Sequence, residues 1–209
     1  MGTLVVVRHH ESEWNEKGLW TGSRDIHLTP YGFEKSRELG LKVHDITFDH
    51  AFASMQVRSI ETLACMLDAD CEYNVPTEHV AALNERDYGD YTGKNKWDME
   101  KLVGEEEFNK IRREWDYPVP HGETLKMVYN RVEPFYVNKV LPLLQDGKNV
   151  LIVSHGNAIR ALMKYIENIP DEKMASTEML FGSVVIYKLD RDGHMVGKEV
   201  RSVESEVPA

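Results

Sequence analysis

Cysteine is scarce in this sequence, with Cys65 and Cys71 the two present among 209 residues. Neither belongs to a CxxC pair, so the sequence indicates neither a disulfide framework nor a zinc cage. Long apolar runs are also missing. The N-terminal run from Leu4 to Val7 ends at Arg8, well short of the roughly 18 residues of a membrane span or the roughly 7–15 of a signal-peptide core. We therefore expect a cytoplasmic protein that does not associate with membranes.

The chain has no excess of positive charge, because 25 lysines and arginines face 35 acidic residues and give a formal net charge of −10. Nucleic acids and anionic membranes bind basic surfaces, since binding releases their counterions, so neither is expected as a partner. Individual arginines nevertheless stand at predicted turns and element ends. That arrangement favours a small anionic ligand, held by charge-assisted hydrogen bonds worth about 1.5–3 kcal/mol each.

Hydrophobic residues make up 42% of the chain, and the length fits a single domain covering residues 1–209. Short apolar runs predict strands at 1–7, 51–53, 149–153, 184–189 and 196–203. Apolar residues at helical spacing predict helices at 30–43, 56–67, 98–103, 105–114, 125–145 and after residue 156. This alternation predicts an α/β fold with three layers, α/β/α, around a mainly parallel sheet. The polar stretch from residue 84 and the helices after it predict a loop and helical cap over about residues 84–122.

Two predicted strands end in histidine, His9 in the first and His155 in the run that begins at 149. Ligands of such sheets bind beyond the carboxyl ends of the strands. A neutral imidazole can attack phosphorus directly at pH 7, because its pKa is near 6.5. The charge on the transferring group then needs stabilisation, for which Arg8, Arg58 and a protonated His155 are the candidates. Glu85 is the candidate carboxyl for proton transfer to and from the substrate oxygen.

Each of these residues also has a structural interpretation. A histidine after a strand is more often a hydrogen-bonded turn residue, and Glu85 could pair with Arg86. The pair Arg112-Arg113 could lie on a solvated helix face. A metal is not expected at His9-His10-Glu11, because neighbouring strand residues point to opposite faces, the HExxH spacing is absent and nearby arginines repel cations.

Four ordered motifs decide between these interpretations. The segment VVVRHHESEWNEKGLWTG resembles the phosphohistidine signature of the histidine phosphatase superfamily. Three later motifs resemble those of one family in this superfamily, the cofactor-dependent phosphoglycerate mutases. They are LNERDYGDYTGKNK, Arg112-Arg113 and VLIVSHGNAIRAL. The resemblance extends from residue 4 to about residue 190. It implies a phosphoglycerate-mutase-like fold.

The resemblance also implies roles for individual residues. His9 is expected to be the phosphorylated nucleophile, Glu85 the general acid and base, and His155 the stabiliser of the transferring group. Arg8 and Arg58 are expected to hold the phosphoryl oxygens. The other residues expected around the phosphate are Ser12, Asn15, Thr21 and Gly22. Those expected to hold the distal carboxylate and phosphate of the glycerate are Arg86, Tyr88, Lys96, Arg112, Arg113 and Asn157. Gly156, at the start of the helix after His155, is expected to bind substrate at the anion site of that strand end.

The implied reaction interconverts 3-phosphoglycerate and 2-phosphoglycerate in glycolysis and gluconeogenesis, with 2,3-bisphosphoglycerate as the priming phosphoryl donor and no metal. The extra basic groups favour this mutase over the alternative, a histidine phosphatase acting on small phosphate esters. A third hypothesis is a binding or regulatory protein without catalysis. The expected partners are small phosphoglycerates, and the expected assembly is a monomer or a small homo-oligomer.

Three features depart from the family pattern. His10 stands where the family has glycine, and a side chain there could crowd the phosphate pocket or supply an extra donor. The connection from Arg113 to Gly122 is short, as in the shorter members of the family. Phe181-Gly182-Ser183-Val184 replaces a Thr-Gly-Val-Pro pattern and could alter the pocket wall.

Overall fold

The computed structural model describes residues 1–205 and 207 and contains a six-stranded mixed sheet. Its strands are β1 (Gly2–Arg8), β2 (His50–Ala53), β3 (Thr77–His79), β4 (Asn149–Ser154), β5 (Ser183–Leu189) and β6 (Met195–Ser202). They lie in the order β3-β2-β4-β1-β5-β6. The first four are parallel, whereas β5 and β6 join the sheet antiparallel. The predicted α/β fold with a mainly parallel sheet is confirmed.

Helices cover both faces of this sheet. They are α1 (Glu13–Glu16), α2 (Pro30–Leu41), α3 (Val57–Ala69), α4 (Lys96–Val103), α5 (Glu105–Arg113), α6 (Leu125–Phe135), α7 (Leu141–Gln145) and α8 (Gly156–Glu167). Alternate residues of β1 face opposite ways, so Leu4 packs against α6 and α8 while Val5 packs against α2 and α3. Two apolar cores, one on each side of the sheet, follow from this alternation.

The segment between β3 and α6 forms a small unit beside the sheet. Its helices α4 and α5 share a third apolar cluster, in which Met99, Phe108 and Ile111 pack with Trp20 and Tyr88. This cluster is separate from the two cores that flank the sheet. The segment therefore has its own hydrophobic contacts and can place polar side chains over the carboxyl edge of the strands.

Two differences between the predicted and the observed elements have a clear physical reason. The helix predicted over 125–145 is interrupted by a π-helical turn at Tyr136–Val140. It follows Pro134, which lies inside α6, and proline both lacks the amide proton of the helical hydrogen bond and crowds the preceding turn. Strand β3 was not predicted, because all three of its residues are exposed and show no apolar pattern. Among the residues described, no helix combines the length and apolar character that crossing a membrane requires.

Candidate active site

His9 and His155 lie side by side at the carboxyl edge of the sheet. Strands β1 and β4 are parallel neighbours with Arg8 opposite Ser154, and the backbone amide of His9 donates to the Ser154 carbonyl at 2.9 Å. The centroids of the two imidazole rings are 4.9 Å apart. The two strands that end in histidine are therefore neighbours, and their ends meet.

The ring of His9 is buried and its tautomer is fixed. Nδ1 lies 2.6 Å from the His10 carbonyl oxygen, and because a carbonyl only accepts, Nδ1 carries the proton and Nε2 keeps its lone pair. Burial holds the pKa of His9 well below its ordinary value, and the positive charges of Arg58 and Arg8 lower it further. His9 is thus a neutral imidazole with a nucleophilic nitrogen at physiological pH.

His155, the N-cap residue of α8, is completely buried behind His9. Its Nε2 lies 2.7 Å from Oγ of Ser54, whereas its Nδ1 has no hydrogen-bond partner in the described part of the chain. Burial, followed by the charge of Arg58, holds the pKa of His155 well below its ordinary value. A buried imidazole among arginines favours the neutral form, so the expected protonation of His155 requires a neighbouring anion and stays a prediction.

Backbone carbonyls orient the two arginines beside these rings. Arg58, in the first turn of α3, donates to the carbonyls of Arg24 at 2.8 Å and Gly22 at 3.1 Å. Arg8 donates to the carbonyl of Met179 at 2.9 Å. Burial lowers the pKa of each of the two guanidinium groups to about 10, so both stay charged at pH 7.

Glu85 faces α8 across the site. Its Oε1 accepts from the backbone amide of Arg86 at 2.7 Å and from the side-chain amide of Asn157 at 3.2 Å. The backbone amide of Glu85 donates to Oε1 of Gln56 at 2.8 Å, and Arg131 donates to the Glu85 carbonyl at 3.2 Å. The carboxylate is thus held by the Arg86 amide and by Asn157 of α8, while Gln56 and Arg131 fix the backbone of Glu85.

These groups line one cavity. The predicted residues that line it are Arg8, His9, Asn15, Thr21, Gly22, Arg58, Glu85, Tyr88, Lys96, Arg112, Arg113, Gly156 and Asn157. The wall also contains residues that were not predicted, namely Leu19, Trp20, Arg160, Thr177, Glu178, Met179 and Leu180. The structure therefore assembles most of the predicted set around a single space.

Three predicted residues do not line the cavity. His155 lies behind His9, as described above. The placement of Ser12 has to be corrected, because its hydroxyl donates to Oδ1 of Asn15 at 2.7 Å inside the α1 turn. Arg86 has to be corrected as well, because it is buried and donates to the carbonyls of Glu123 at 2.6 Å and Ile111 at 2.9 Å. Those bonds connect the loop to α5 instead of reaching the cavity.

Two further side chains contribute in ways that the sequence did not show. Arg160 is buried and donates to Oδ1 of Asn157 at 2.9 Å and to the Arg113 carbonyl at 2.7 Å. Its signal in the sequence is its position three residues after Asn157, between the apolar residues Ile159 and Ala161 of α8. Glu178 forms an ion pair with Arg113 at the cavity wall, and nothing in the surrounding sequence indicates it.

The cavity has the donors that a phosphoryl group requires. Three atoms on residues of the cavity wall are buried without a hydrogen-bond partner among the described residues, namely Nε of Arg8, Nε of Arg58 and Oγ1 of Thr21. Nδ1 of His155, behind His9, likewise has none in that part of the chain. Buried polar atoms ordinarily have partners, so this convergence fits an anion with several acceptor oxygens. On the far side, Lys96 adds a cation whose pKa burial lowers to about 8, with Arg112 and Arg8 lowering it further.

Comparison with known proteins agrees with this geometry. Residues 4–199 match the histidine phosphatase superfamily (branch 1). A relative from Bradyrhizobium sp. strain BTAi1, a 2,3-bisphosphoglycerate-dependent phosphoglycerate mutase, is 42% identical over 93% of this chain and 95% of its own length. A relative of the same name from Rhizobium meliloti is 40% identical, with 95% of each chain covered.

Solved structures show the same fold. YhfR from Bacillus stearothermophilus superposes with a TM-score of 0.81 at 25% identity, covering 93% of this chain and 94% of its own. The alpha-ribazole phosphatase from Shigella flexneri superposes with a TM-score of 0.78 at 25% identity, covering 97% and 96% of the two chains. The match therefore extends over nearly the whole of both chains in sequence and in structure.

Proposed function

The chain belongs to the histidine phosphatase superfamily, and we propose that it is a 2,3-bisphosphoglycerate-dependent phosphoglycerate mutase that interconverts 3-phosphoglycerate and 2-phosphoglycerate through phosphorylated His9. The observation that carries this proposal is a second group of cations. Lys96, Arg112 and Arg113 line the cavity on the α4 and α5 side, in addition to Arg8 and Arg58 beside the histidines. A mutase needs both groups, because it must hold a doubly anionic substrate while one end reacts.

The nucleophile is Nε2 of His9, since Nδ1 is occupied by the His10 carbonyl. Its lone pair forms an N–P bond while the bond between phosphorus and the donor oxygen breaks, and that oxygen keeps the bonding electrons. Glu85, protonated for this half of the reaction, gives its proton to the departing oxygen. In the second half the glycerate hydroxyl attacks phosphorus, Glu85 takes the proton back, and the N–P bond breaks.

Charge on the transferring group is stabilised by donors already in place. Arg8 and Arg58 are oriented by carbonyls, so little reorganisation is needed when the phosphoryl oxygens arrive. His155 has a buried Nδ1 free of other contacts within the described residues. A phosphoryl dianion beside it would favour the protonated ring, because an opposite charge stabilises the charged form.

The primer 2,3-bisphosphoglycerate would supply the first phosphoryl group to His9. The cavity fits it, because unpartnered donors surround one end and the α4 and α5 cations the other. Lys96, Arg112 and Arg113 would hold the carboxylate and the second phosphate. We further propose that the enzyme acts in the cytoplasm on soluble phosphoglycerates.

The test is an assay of 3-phosphoglycerate conversion with and without 2,3-bisphosphoglycerate. We expect 2-phosphoglycerate as the main product, stimulation by the bisphosphate, and loss of both in His9→Ala. Mass spectrometry after incubation with the bisphosphate should find a covalent phosphohistidine that His9→Ala lacks. Inorganic phosphate as the main product, without stimulation, would identify a phosphatase instead. The absence of any phosphohistidine would favour a binding protein.

A further inference from the structure

Arg8 rests on the aromatic face of Phe181. Its guanidinium carbon lies 3.5 Å from the centroid of that ring, and the same side chain donates to the carbonyl of Met179. Both contacts come from the loop that precedes β5, so this loop holds Arg8 from two sides. A cation over the face of a buried ring is attracted to that face, and the ring limits the positions that the guanidinium can take.

His10 packs against Phe181. Its ring lies 6.0 Å from the Phe181 ring and 5.4 Å from the Tyr31 ring, centroid to centroid. The side chain is completely buried, and neither ring nitrogen has a hydrogen-bond partner among the described residues. Burial, followed by the charges of Lys35 and Arg8, lowers the pKa of His10 to about 4. His10 is therefore a neutral ring that fills space in this structure.

His10 does not line the cavity, so the crowding considered from the sequence is not observed. Instead, two departures from the family pattern, 171 residues apart in this chain, are in contact. His10 replaces a glycine, and Phe181 replaces the threonine of a Thr-Gly-Val-Pro pattern. The imidazole ring that replaces glycine at position 10 packs against the phenyl ring that replaces threonine at position 181.

We infer that Phe181 is a positioning residue for Arg8, and that His10 acts as a spacer which keeps Phe181 against the guanidinium. The inference rests on the proposed phosphoryl transfer to His9. Packing density explains why the two residues act together, since removal of one ring leaves a void into which the other can move. The Arg8 guanidinium would then lose the surface that fixes its plane.

The first test is a double-mutant cycle between positions 181 and 8. Single-turnover phosphorylation of His9 by 2,3-bisphosphoglycerate is measured in the wild type, Phe181→Leu, Arg8→Lys and the double variant. Leucine keeps an apolar side chain but removes the aromatic face. We expect Phe181→Leu to slow phosphorylation about tenfold in the presence of Arg8 and to have little further effect in Arg8→Lys.

If Phe181 had a purely structural role, Phe181→Leu would slow phosphorylation by the same factor with arginine and with lysine at position 8. That outcome would overturn the inference. Phe181→Tyr serves as the matched control, because it keeps the ring and should retain a rate close to that of the wild type. Thermal unfolding of each variant identifies any that fails to fold. A wild type that forms no phosphohistidine would refute the proposed function, whereas a phosphorylated Phe181→Leu at wild-type rate would refute the positioning role alone.

The second test concerns the spacer. His10→Gly is expected to slow phosphorylation several-fold, whereas His10→Phe, which restores an uncharged ring, should recover most of the rate. If His10→Phe were as slow as His10→Gly, the spacer role would be wrong. The double variant His10→Gly/Phe181→Thr, which restores the family residues, should lose less than the product of the two single effects. Multiplicative losses would show that positions 10 and 181 act independently.

Discussion

We expect kcat/KM for 3-phosphoglycerate to fall between pH 7 and pH 9, because Lys96 loses its proton in that range. Lys96 is the first residue of α4 and lines the cavity. Burial lowers the pKa of its ammonium group to about 8, and the charges of Arg112 and Arg8 contribute in the same direction. Since a lysine is charged below its pKa and neutral above it, the anion-binding form is lost as the pH rises.

The expected size of the change follows from that pKa. With a pKa of about 8, the protonated fraction is about 0.9 at pH 7 and about 0.1 at pH 9. Because the neutral amine should retain about a tenth of the activity, as expected for Lys96→Met, kcat/KM should fall about fivefold. The phosphate of the substrate does not titrate there, because its second pKa is about 6. Arg8 and Arg58, with pKa values lowered to about 10, remain charged over most of the range.

Two variants separate Lys96 from other groups. Lys96→Arg keeps its charge throughout and should give a flat profile from pH 7 to pH 9. Lys96→Met should give a flat profile as well, but with kcat/KM lower by about tenfold at pH 7, the loss of one charge-assisted contact. The reasoning is refuted if the wild-type profile is flat to pH 9, or if Lys96→Met keeps the same decline.

Substitutions at four other positions address the remaining contacts of the site. Glu178→Gln removes the carboxylate that pairs with Arg113 and therefore competes with the substrate for that guanidinium group. The KM for 3-phosphoglycerate should fall about two- to fivefold in this variant, and an unchanged KM would count against such competition. Arg160→Met removes buried hydrogen bonds to α5 and α8. The free energy of unfolding, measured in urea, should fall by about 2–4 kcal/mol in this variant and by less in Arg160→Lys, which keeps a charged donor. His155→Ala should slow single-turnover phosphorylation of His9 by about 100-fold or more, because a stabilising donor is lost. Ser54→Ala, which leaves that ring in place without its orienting contact, should slow the same step only about fivefold, and equal losses would contradict this division of roles.

The sheet was predictable because its central strands are buried on both faces. Val5 and Val7 pack on one side, and Leu4 and Val6 on the other, so each run reads as continuous apolar sequence. The exposed strand β3 lacks such a run, and its pairing with β2 depends on backbone hydrogen bonds that the sequence pattern does not express. The π-helical turn at Tyr136–Val140 likewise depends on the local geometry around Pro134.

The site was predictable where a side chain stands at a strand end or within a motif. His9 and His155 meet because β1 and β4 are adjacent, and the motifs indicate the arginines near them. Arg86 illustrates the limit, since it lies between two cavity residues, Glu85 and Tyr88, yet its side chain leaves the loop toward α5. Sequence proximity does not determine the direction in which a loop side chain points.

The way in which the cavity arginines are held explains how a protein with a net charge of −10 keeps a cationic site. Backbone carbonyls orient three of these side chains, Arg8, Arg58 and Arg160. A carbonyl oxygen carries only a partial negative charge, so most of the positive charge of each guanidinium group remains available to the substrate. Arg113, which also lines the cavity, is instead paired with the carboxylate of Glu178. A carboxylate in place of those carbonyls would compete with the phosphoryl oxygens for the same guanidinium groups. The acidic residues can therefore be numerous elsewhere in the chain without weakening anion binding, because charges separated by more than about 10 Å of solvent are screened.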